Sequence, residues 1–129
     1  LLELPTMESL WKLEISHCPS LRAVGLFPEL SVLKLSGPFK TEVVDSWLSL
    51  NSPLEHLEIY SSPLVSIPLR PQYLTSLATL RLLFCYDLQY CDGLVSLTSL
   101  RELNVEECPK LNLHRSLPCN LQKFELYGR

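Results

Sequence analysis

The sequence predicts an α/β solenoid: stacked coils with a parallel β-sheet along the concave face and mostly irregular or short-helical returns along the convex one. Two observations carry that reading. The first is a recurring pattern, Leu-x-x-Leu-x-Leu-x-x-Cys, found at Leu10, Leu13, Ile15, Cys18; at Leu77, Leu80, Leu82, Cys85; and at Leu100, Leu103, Val105, Cys108. Looser copies run through Leu30, Leu33, Leu35 and Pro38, through Leu54, Leu57, Ile59 and Ser62, and through Leu121, Phe124, Leu126 and Arg129. The second is spacing. The leading leucines lie 20, 24, 23, 23 and 21 residues apart, a period at which each coil buries its apolar face against its neighbours rather than in one central core.

Each copy contains a short stretch that alternates inward and outward with period two, as a strand does. The alternation predicts strands over 12–16, 32–36, 56–60, 79–83, 102–106 and 123–127. Leu13 and Ile15 should point inward and Lys12, Glu14 and Ser16 outward, with the same phase in every copy. Leu21, Leu88 and Leu111 should anchor the convex returns, which Pro and Ser punctuate at Pro19, Pro63 and Pro109. Val43, Val44, Trp47 and Leu48 have helical spacing, as do Leu94, Leu97 and Leu100. Residues 36–53 form the longest return, expected to bulge irregularly.

Aligning the copies sets the outward residues in columns. The central column reads Glu14, Lys34, Glu58, Arg81, Asn104, Glu125, so signs alternate over four coils and each charge should face its opposite. Such cross-strand pairs are worth roughly 0.2–1 kcal/mol each. At the strand exits the pairs are Ser16-His17, Ser36-Gly37, Tyr60-Ser61, Leu83-Phe84, Glu106-Glu107 and Tyr127-Gly128. Leu83 and Phe84 place large apolar groups where solvent is expected, one coil from Tyr60 and on the strand of Arg81. Phe84 has two orientations open to it, outward or turned inward at the strand end. Aromatics with an arginine on a sheet face are the composition of protein-binding hot spots. Tyr60, Arg81, Leu83 and Phe84 are therefore the candidate contact patch, with His56, Glu58, Glu106 and Glu107 as its polar rim.

The rest of the composition narrows the function. Net charge is −3, too little basic field to hold a nucleic-acid backbone or an anionic membrane. No apolar run reaches the roughly 18 residues of a membrane span. Five cysteines, at 18, 85, 91, 108 and 119, show no Cys-x-x-Cys pair, and three of them share one slot after the strand. There a small, weakly polar thiol should pack rather than bind metal or form a disulfide. Unpaired thiols fit a reducing compartment, and none of the four asparagines begins a glycosylation sequon. The four glycines form no phosphate loop, and the three histidines fall in different coils, so no catalytic trio can be assembled.

The period and pattern are those of leucine-rich repeats, about six of them over residues 1–129, forming a segment of a horseshoe. The copies Ile15-Ser16-His17-Cys18-Pro19-Ser20-Leu21 and Val105-Glu106-Glu107-Cys108-Pro109-Lys110-Leu111, with Cys85-Tyr86-Asp87-Leu88 as a near match, resemble the C-terminal repeats of plant intracellular nucleotide-binding immune receptors of the coiled-coil class. Leu74-Thr75-Ser76-Leu77 and Leu97-Thr98-Ser99-Leu100-Arg101-Glu102-Leu103 resemble them too, whereas the coil from Leu30 departs from the pattern. That resemblance implies a binding module, not an enzyme, that faces pathogen effectors or guarded host proteins and restrains the receptor's nucleotide-binding module. It implies a cytoplasmic location, with the nucleus as a second compartment, and no cofactor in this segment. ATP or ADP would belong to a module outside it. The opening Leu1-Leu2-Glu3-Leu4-Pro5 reads as the tail of an earlier coil, as expected of a fragment. The alternative is the substrate-recognition repeat of an F-box ubiquitin ligase subunit, whose copies run longer and place Ile-Thr-Asp where Cys-Pro stands here.

Overall fold

The computed structural model describes residues 3–128. Leu1 and Leu2, expected in the tail of an earlier coil, and Arg129, the last position of the sixth copy, lie outside them. The chain is a parallel-strand solenoid of the leucine-rich-repeat type. Its principal sheet has six strands: β2 (Lys12–Ser16), β4 (Val32–Ser36), β5 (His56–Tyr60), β7 (Thr79–Leu83), β9 (Glu102–Glu106) and β10 (Lys123–Tyr127). All five neighbouring pairs are parallel and follow chain order across the sheet. These are the strands the alternation predicts, at the same residues. Register follows the repeat as well, with Leu33, Leu57, Leu80 and Leu103 in one inward row and Leu35, Ile59, Leu82 and Val105 in the next.

Both rows are buried, as are the leading Leu30, Leu54, Leu77 and Leu100. Each coil thus puts its aliphatics between those of its neighbours, which is how a short strand becomes stable without a globular core. The outer strand β10 differs. Phe124 and Leu126 occupy the inward rows but are 42% and 58% exposed, because no strand among the described residues lies beyond them.

The convex returns are more regular than expected. Residues 36–53 hold a two-turn helix, α1 (Thr41–Leu48), not a bulge. Val43, Val44, Trp47 and Leu48 are its buried face, as their spacing predicts. Trp47 is fully buried, lies 5.7 Å from the Phe27 ring and donates its Nε1–H to the Leu21 carbonyl at 2.8 Å. The second helical expectation is only partly met: Leu94–Ser96 is a single 3-10 turn. Two further parallel pairs line this side, β1 (Glu3–Leu4) with β3 (Arg22–Ala23), and β6 (Ser66–Pro68) with β8 (Tyr90–Asp92). Leu21 and Leu88 anchor the returns in the core, and Leu111 packs against it half-buried.

The cysteine slot has a structural role. Cys85 Sγ donates toward the carbonyls of Leu83 and Ile59 at 3.5 and 3.7 Å. Cys108 does the same to Glu106 and Leu82 at 3.4 and 3.5 Å. Each thiol therefore bonds its own strand end and the coil before it, a weak donor filling a small site among carbonyls. All five cysteines are free. The adjoining Cys108 thiol and then burial push the Cys85 pKa up, and burial pushes Cys91 up to about 12. Because the thiolate is the reactive form, exposed Cys119 should react with a disulfide reagent at once. Cys85 and Cys91 should react only as the chain unfolds, and so should Cys108, whose pKa the Cys85 thiol lowers but whose burial keeps the reagent out. A time course of thiol release with and without denaturant measures this, and a disulfide among the three in protein never exposed to oxidant contradicts it.

Candidate functional site

Just past each strand of the six-stranded sheet the chain turns through one residue of positive φ. The column is His17 (φ 57), Gly37 (φ 94), Ser61 (φ 55), Phe84 (φ 56), Glu107 (φ 53) and Gly128 (φ 74). The N–H of each of the first five donates to the last strand carbonyl of the next coil, at 2.8–3.0 Å. The sheet ladder thus runs one residue beyond the strands and holds a left-handed turn that costs a non-glycine residue about 1–2 kcal/mol. Side chains at this column leave the alternation of the strand and project from the rim.

That turn decides where Phe84 goes. It lies outside the core cluster, partly exposed, with its ring 5.3 Å from Tyr60 and 6.2 Å from Tyr86. Both centroid distances fall within the range of favourable aromatic pairs. Tyr60 is 41% exposed and Tyr86 55%, so three aromatic rings form a row along the exit rim. Tyr86 was missing from the expected patch. It stands where three other copies carry the exposed Pro19, Pro63 and Pro109, and that column was the available signal.

Leu83 is a correction. Expected as an exposed contact, it is 6% exposed, yet it does not belong to the core cluster. It faces outward between Tyr60 and Glu106, its register partners on either side. Alternation gives the face a residue points to but not the cover its neighbours provide. Leu83 is the floor of the patch, not part of its contact surface.

Arg81 is also less available than expected. Its Nη1 donates to Glu58 Oε1 at 2.7 Å, and its Nη2 lies 3.5 Å from Glu106 Oε2. Lys34 reaches the other oxygen of Glu58 at 3.9 Å. The charge ladder therefore exists over the middle coils and anchors register. Glu14 departs from it, pairing with Lys12 on its own strand at 3.2 Å. Glu107 is exposed on the rim, its carboxylate lying over Gly128, where the absence of a side chain leaves it room.

His56 is not part of this patch. It sits at the opposite end of β5 from Tyr60, about 13 Å away along the strand. There it lines a separate concave hollow of about 340 Å³ with Arg81, Glu102, Asn104, Lys123 and Glu125 among its walls. Burial lowers the His56 pKa, with Glu58 opposing that shift. In the same hollow Asn104 Nδ2 donates to Glu125 at 3.2 Å, and the Tyr127 hydroxyl, donating to Glu125 at 2.8 Å, holds that carboxyl below its usual range. Among the described residues no group of three His, Cys, Asp or Glu side chains is placed to hold a metal ion. No helix among them is long and apolar enough to cross a membrane.

Comparison of the chain with protein families, with curated proteins and with solved structures returns no match.

Proposed function

We propose that this chain is a protein-interaction module: the recognition repeats of a plant intracellular disease-resistance receptor, which meet a pathogen effector or a guarded host protein. The observation that carries the reading is the aromatic row of Tyr60, Phe84 and Tyr86 on the rim of a rigid sheet. Tyr60 and Phe84, held in place by the backbone ladder, lose little freedom on binding, so their desolvation converts into affinity with a small ordering cost. The Cys-Pro-x-Leu copies point from binding in general to that receptor class. Free, buried thiols suit the reducing cytoplasm in which such receptors act. In the resting receptor the same module would help hold the nucleotide-binding module inactive.

The test is replacement of Tyr60, Phe84 and Tyr86 by alanine in the full receptor, with protein level and effector response read together. Loss of response with a quiet resting state is the expected result and supports sensing. Response without effector would show that the row latches the receptor's own modules. An unchanged response at normal protein level overturns the proposal.

A further inference from the structure

The partner's chemistry can be read from what surrounds the aromatic row, and this inference rests on the row being a contact surface. Beside Phe84 the next two coil positions along the rim are Glu106 and Glu107, set by the Leu83–Glu106 register and the Phe84 N–H to Glu106 carbonyl bond at 2.8 Å. Tyr86 is followed by Asp87. Among the described residues, the turn segments around the rings thus carry Asp87, Glu106 and Glu107, against Lys110 alone, which pairs with Asp87 at 3.3 Å. Arg81, the nearest cation on the face itself, already serves Glu58 and Glu106.

An apolar partner segment covering the rings would dry the neighbouring carboxylates without supplying an opposite charge, which is costly. An acidic segment would be repelled. A cationic side chain satisfies both halves of the surface, its charge over a ring face and its donors on a carboxylate. Buried Leu83 beneath the rings keeps the floor apolar, where such a charge–ring contact is strongest. We propose that the rim formed by Tyr60, Phe84, Tyr86, Glu106 and Glu107 takes an extended, arginine- or lysine-bearing segment of a partner protein.

A fluorescein-labelled peptide of alternating arginine and glycine tests this by anisotropy, with an alternating glutamate and glycine peptide beside it. The arginine peptide should bind, more weakly as salt is added, and the glutamate peptide should not. Glu106→Lys with Glu107→Lys should weaken binding by about tenfold or more. Phe84→Asn should weaken it by about fivefold, since asparagine tolerates the left-handed turn but brings no ring. Glu8→Lys with Glu29→Lys makes the same change in net charge at exposed sites near the N-terminal end and should leave affinity within about twofold. Melting curves matched to the parent chain establish that each variant is folded. Equal loss in the Glu8 and Glu29 variant, equal binding of the glutamate peptide, or no binding of the arginine peptide overturns the inference. If alanine at the rings abolishes effector response while the Glu106 and Glu107 variant leaves peptide binding intact, the contact surface stands and the basic partner does not.

Discussion

Leu80→Asp is expected to cost about 4 kcal/mol or more, the larger part of the 5–15 kcal/mol or so that holds a domain of this kind folded. Leu80 is fully buried in register between Leu57 and Leu103. A carboxylate there has no cation within the coil stack, and it separates the coils on both sides as well as its own. The measurement is chemical denaturation with hydrogen exchange on the flanking strands. Wild-type midpoint and wild-type protection at Leu57 and Leu103 would show that the inward row does not carry the stacking.

Trp47→Ala is the second large effect, about 3–5 kcal/mol, seen as a fall in melting temperature on the order of 10 °C. Two losses combine. The indole leaves a large void beside Phe27, and the Leu21 carbonyl loses its donor. Ser46 ties the same helix to the convex strand by accepting from the Ala23 N–H at 3.1 Å. Trp47→Phe separates the two losses, retaining most of the volume without the hydrogen bond, and should cost about 1–3 kcal/mol. If alanine and phenylalanine behave alike, packing around Trp47 contributes little.

The concave sheet was legible residue by residue because period two and a fixed coil length leave only one phase that buries Leu33, Leu57, Leu80 and Leu103 together. The convex side was not. Pairs such as Ser66–Pro68 with Tyr90–Asp92 are too short to show any periodicity, and they exist because stacking brings equivalent return segments within hydrogen-bonding distance. The helix at Thr41–Leu48 was visible in its four apolar positions, yet the length of the return also suggested irregularity; burial of Trp47 against Phe27 decides it. At the candidate site, alternation placed Tyr60 and Arg81 on the outward face. It could not show that neighbours cover Leu83, that Arg81 is spoken for by two glutamates, or that strand length carries His56 to a different hollow. Tyr86 was missed because it lies in the turn, where period two no longer applies.

The row of left-handed turns has a consequence for how such a protein can change. A core position accepts few side chains, and a strand position must match its cross-strand neighbours. The turn column makes its fixed contact through the backbone N–H, so it asks for a residue able to bear positive φ and, at Gly37 and Gly128, for one small enough to clear His17 and Glu107 on the coil before. Histidine, glycine, serine, phenylalanine and glutamate all occupy it within this one chain. The rim can therefore exchange aromatic, charged and small groups one coil at a time while the solenoid beneath stays the same, so a new partner can be met by substitution without refolding.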